Sequence, residues 1–188
     1  MSERIETSMG YLSGEVTEQT SYVPVPKQRY RAKIALAEFV DPAAMGWEPD
    51  DDLTEEEKAE FFRPFPRVRW QIESEENGGY TEYAGRMVDQ RVSLRSGINP
   101  KTGRSYAEHR ADLIRLKHGL GPKDEVVGYR LFDDGDLAEM ERTEAIRVAN
   151  ERMKAYEGLS AVIRIMHIKS KKGDGDIRDG VAKVVLGS

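Results

Sequence analysis

Arg67 and Arg69 stand two residues apart in the stretch Phe61 to Glu73, FFRPFPRVRWQIE, and Arg91 and Arg95 repeat the theme of spaced guanidiniums further along. Around them gather Phe61, Phe62, Phe65, Trp70, Tyr80 and Tyr83. A guanidinium grips a phosphate through a planar fork of N–H donors, and an exposed ring offers a face on which a base stacks, worth about 1–3 kcal/mol per base. Basic side chains interleaved with rings therefore suit a polyanion that carries aromatic bases. Arg67, Arg69, Arg91 and Arg95 would line its groove, and Lys169, Lys171, Lys172 and Arg178 would reach over it from a C-terminal hairpin. Tyr80 and Tyr83 flank a turn and are the stacking candidates. Trp70 shares the phase of Val68 and Ile72 and is expected in the core.

Other chemistries find less to work with. Asp174, Asp176 and Asp179 cluster in GDGDIRDG, an oxygen-rich loop that lacks the later Glu of an EF-hand, so a hairpin turn is the expectation and a metal-dependent nuclease the rival. His109, His118 and His167 show no His-Glu-x-x-His spacing, and the chain has no cysteine, which excludes disulfides and thiolate metal sites. There is no Gly-x-Ser-x-Gly, Walker or Rossmann fingerprint. Neither an enzyme nor a cofactor is expected.

The elements that must position these residues follow from periodicity. RYRAKIALAEFV alternates with Tyr30, Ala32, Ile34 and Leu36 inward, a half-buried strand. Thr54 and Glu57 have capping-box spacing, predicting a helix over 55–62 that Pro64 stops. Val68, Trp70 and Ile72 then point inward from the next strand, placing Arg67 and Arg69 outside. After the turn ENGGY, a third strand puts Val88, Val92 and Leu94 inward and Met87, Arg91 and Arg95 outward. Ser105 and Glu108 cap a helix running to about His118, closed by Gly119 and Pro122. EVVGYRLF, 125–132, reads as a short strand, and Asp136 with Glu139 as the start of a third helix whose stripe is Leu137, Met140, Ala145, Val148 and Met153. LSAVIRIMHI and IRDGVAKVVL close the chain as a hairpin.

At 188 residues the chain suits one decorated domain, with 38% hydrophobic residues to build a core. Residues 1–26, rich in Ser, Thr and Glu and ending VPVP, read as an extended or flexible arm. Residues 27–188 read as the domain, with insertions at about 41–64 and 133–157. Five or six strands with a helix before the last pair suggest mixed β with helices, an OB-like small β-barrel. The net charge of -5 is unevenly spread: 50–60 holds seven acids against Lys58 alone, whereas 61–130 holds thirteen bases against nine acids. Local field, not net charge, governs contact with a polyanion over a Debye length of about 8–10 Å. No apolar run resembles a signal peptide or a membrane span, so a cytoplasmic protein without membrane contact is expected.

The order of RYRAKIALAEFV, an aromatic strand, YAGRMVDQRVSLRS, a helix ending LIRLKHGLG, and YEGLSAVIRIMHIKSKKGDGDIRDGVAKVV resembles the OB-fold single-stranded-DNA-binding proteins of tailed bacteriophages. The resemblance spans roughly 28–188 and rests on Gly85–Arg86 before a strand, Leu116 to Gly121 closing a helix, Gly158 opening the final hairpin, and Arg178 to Val185 within it. It implies binding to single-stranded DNA without sequence preference, during replication or recombination in the host cytoplasm. Replication or recombination proteins and further copies of the chain are the implied partners, and Arg86 joins the DNA-contacting set. An acidic C-terminal tail of the kind that recruits partners is not seen in VVLGS. The alternative is a virion or assembly protein whose arm clasps its neighbours.

Overall fold

The computed structural model describes residues 22–94, 97–99, 102–169 and 177–186. Alternating apolar residues form the strands β1 (Arg29–Val40), β2 (Phe65–Glu75), β3 (Met87–Arg91), β4 (Ser160–Lys169) and β5 (Ile177–Val185). Among the described residues three α-helices punctuate them: α1 (Glu55–Phe61), α2 (Tyr106–His118) and α3 (Arg142–Met153). Both predicted capping boxes are present, Thr54 with Glu57 on α1 and Ser105 with Glu108 on α2. Gly119 ends α2 in the left-handed region at φ 64°, a conformation that a Cβ would penalise.

The strands close in a ring, in the order β1-β2-β3-β5-β4 and back to β1. All neighbours are antiparallel except β3 and β5, which run parallel and meet at one pair, Asp89 opposite Gly180. At that seam Ile168 of β4 already covers Gly180, whose missing Cβ would lie 2.7 Å from Ile168 Cδ1. Tyr30, Val68, Trp70, Ile72, Ile163 and Val184 fill the interior, each at most 1% exposed. Trp70 reconciles its ring N–H with burial by donating from Nε1 to Gln90 Oε1 at 2.8 Å.

The second half of β1 departs from simple alternation. A register shift between Ile34 and Leu36 turns the phase, so Ala37 faces the core with Phe39 packed against it, and Leu36, expected inside, is half-buried. Here β1 also parts from β4, whose pairing ends at Lys33. The amides left over are met by side chains on and just after α3: Ala37 N–H donates to Glu157 Oε1 at 3.2 Å and Phe39 N–H to Asn150 Oδ1 at 3.0 Å. An exposed strand edge is thereby covered and its donors satisfied.

Other expectations are corrected. Residues 125–132 form turns and loop with no strand; Leu131 is buried there, and its carbonyl accepts from Tyr156 Oη at 2.5 Å. The third helix begins at Arg142 with Glu141 as its cap, after a separate 3-10 turn at Leu137–Glu139. Asp136 caps nothing, because its carboxylate accepts from both terminal guanidinium nitrogens of Arg152 at 2.7 Å. Leu94, expected inside, is 49% exposed: β3 ends at Arg91, and alternation carries on only as far as the buried Val92. The end of the arm is also part of the domain, since Val25 is fully buried in the core.

Candidate nucleic-acid interface

Register brings the predicted arginines of β2 and β3 onto one outer face. Glu38, Arg67 and Arg91 form a row across β1, β2 and β3; Leu36, Arg69 and Asp89 form the next. Gly180 continues the second row across the seam, and a side-chain period of two puts exposed Arg178 on the same side of β5. Arg67 and Arg91 stand directly opposite each other, a like-charge pairing that would destabilise a sheet if left uncompensated.

Compensation comes from carboxylates and rings. Arg67 donates from Nε to Glu38 Oε1 at 2.7 Å, with a second, closer contact from its terminal nitrogen to the same oxygen. Arg69 donates from Nε to Asp89 Oδ1 at 2.7 Å and from its terminal nitrogen to Oδ2 at 3.4 Å, and this hydrogen bond raises its guanidinium pKa above the usual range. Arg91 lies 3.8 Å above the centroid of the Phe65 ring, a cation–π contact. Trp47, within the β1–β2 connection, lies beside the same ring, its own ring 6.2 Å from Phe65 at a 36° tilt and its residue surface 37% exposed. Sequence reading passed over Trp47. Its signal was a large ring in an otherwise acidic, turn-rich insertion, with no periodicity to assign it to a face.

The remaining predicted residues divide. Tyr80 is 87% exposed beyond the end of β2, free to stack. Tyr83 is half-buried, edge-on to Tyr30 with centroids 6.3 Å apart, so packing claims part of its ring. Arg86 is engaged elsewhere: its guanidinium covers the Tyr22 ring at 4.6 Å and donates to the Val23 carbonyl at 2.7 Å. Lys169 is exposed at the end of β4, opposite Ile177. Arg95, Lys171 and Lys172 lie outside the described residues, as do Asp174 and Asp176.

Asp179, the described member of the aspartate cluster, faces inward. Its side chain is 1% exposed and accepts from the Tyr22 hydroxyl and from the Val25 N–H at 3.1 Å. His167 Nε2 meets the Val25 carbonyl at 2.8 Å. Residues 22–26 are thus a strap held from β4 and β5 by His167 and Asp179, and from the β3 side by Arg86. His109 is buried on α2 with Nε2 2.8 Å from Thr102 Oγ1, and His118 lies against the Tyr129 ring. No group of three His, Asp or Glu among the described residues is arranged to hold a metal ion. No helix among them is long and apolar enough to cross a membrane. A scan against protein-family models finds no match for the chain, and a search of the curated proteins finds none either.

Proposed function

We propose that the chain binds single-stranded DNA without sequence preference through the outer face of β2 and β3, as an OB-type protein of phage replication or recombination. The observation that carries this reading is the placing of Arg67, Arg69 and Arg91 on that one face with the Trp47–Phe65 ring pair at its end. Guanidiniums for phosphates and a ring for bases then lie along a single track. The strand order supports it. A five-stranded ring in which a helix precedes the last two strands has the layout of an OB fold, whose second and third strands and flanking loops bind oligonucleotides. That support is analogy of architecture, whereas the row of side chains is chemistry.

The test is a titration of the intrinsic tryptophan fluorescence with poly-dT at low and moderate salt. Quenching should saturate at low salt, and log affinity should fall with log salt by about 0.7 for each phosphate contact. Duplex DNA should bind more weakly, because a broad sheet face offers no element for the major groove and bases must be unpaired to stack. Absence of quenching and of retention on poly-dT at low salt overturns the reading.

A further inference from the structure

We infer that Glu38 and Asp89 act as built-in competitors for phosphate, occupying the donors of Arg67 and Arg69 that a DNA backbone would use and so setting how tightly the face binds. This rests on the reading of the face as a single-strand interface. A carboxylate and a phosphate present the same kind of anionic oxygens to a guanidinium fork. Arg67 gives Nε and a terminal nitrogen to Glu38, and Arg69 gives the same two donors to Asp89.

Register makes the arrangement systematic. Each carboxylate sits directly opposite its arginine on the neighbouring strand, Glu38 from β1 and Asp89 from β3, so both forks are preformed on the sheet surface. Neither pair is sealed. The side chains are 17% and 25% exposed for Arg67 and Glu38, and 33% and 46% for Arg69 and Asp89, so an incoming anion can reach them. Binding a phosphate at either site means exchanging one anion for another. The exchange leaves a displaced carboxylate beside the strand, which lowers affinity and holds the salt dependence below what three arginines would give. A face regulated in this way releases strands readily.

The experiment compares wild type with Glu38→Gln, Asp89→Asn and the double variant in poly-dT titrations over a range of salt, with thermal unfolding of each. A unit negative charge about 6 Å from a phosphate in water changes affinity about threefold. Each single variant should therefore bind about threefold more tightly than wild type, and the double variant more tightly still. Each freed guanidinium that gains a phosphate should steepen the salt slope by about 0.7. Asp134→Asn, which removes a carboxylate paired with Arg130 outside the sheet, measures the contribution of net charge alone and should change affinity less. Asp89→Asn alters the more exposed pair and keeps the comparison usable if Glu38→Gln loses its fold. If wild type binds poly-dT while neither variant binds more tightly or more steeply than Asp134→Asn, the pairs are structural and the inference is overturned. If wild type and all variants fail to bind at low salt, the proposed function falls and takes the inference with it.

Discussion

The two tryptophans separate stability from binding. Trp70 is fully buried with its ring N–H paired to Gln90, so Trp70→Ala removes a core ring and leaves a buried acceptor alone. It should cost about 3–5 kcal/mol in urea unfolding. Trp47 lies at the surface over Phe65, and Trp47→Ala should unfold with a much smaller loss while abolishing most of the fluorescence change on adding poly-dT. A Trp47 variant whose signal and affinity match wild type would show that the ring takes no part. His109 offers a different readout. Burial, with help from the Arg104 guanidinium, holds its imidazole below the ordinary value of 6.5. The unfolded chain then binds a proton that the folded chain resists, so this contribution is complete above about pH 6.5 and is lost as pH falls toward the lowered folded value. His109→Gln should flatten the decline in melting temperature as pH falls below about 6.5; an unchanged decline would exclude this residue as its source. Alternation alone identified Trp70 as core and Arg67 as outward. It could not identify Glu38 as the partner of Arg67, because the two are 29 residues apart and meet only through register.

At the scale of elements, local signals were legible and long-range ones were not. Thr54–Glu57 and Ser105–Glu108 announced the starts of α1 and α2 because a capping box is complete within four residues. The same pattern misled at Asp136, where a distant Arg152 outcompetes the local amides for the carboxylate. The shift in β1 was invisible for a related reason: its cause is the departure from β4 toward α3, which no window of β1 contains. VPVP reads as the end of an arm outside the core, whereas Val25 is buried and its amide held by Asp179, a contact no local pattern announces. Asp179→Asn keeps the shape but removes the charge and turns one of the two accepting oxygens into an NH2 donor, and should cost about 1–3 kcal/mol. It should also hasten proteolytic cleavage around residues 22–28. A variant with wild-type melting and an equally resistant strap would show that Asp179 is not its anchor.

For the molecule as a whole, the ring is closed least securely between β3 and β5, which pair through Asp89 and Gly180, and the strap reaches across that seam. Arg86 holds it from just before β3, while Asp179 and His167 hold it from β5 and β4. Val25 and Asp179 are separated by 154 residues along the chain. During synthesis the strap leaves the ribosome well before its anchor is made. At about 5–20 residues per second, that interval is roughly 8–30 s. For that time Val25 has no pocket and the first strands have no closing partner, so the strap can dock only once translation has passed β5. Nascent chains arrested within β4 should therefore be cut readily near Val25, and chains arrested well beyond β5 should resist. The order of manufacture thus leaves this protein with its clasp in hand before the object it fastens exists.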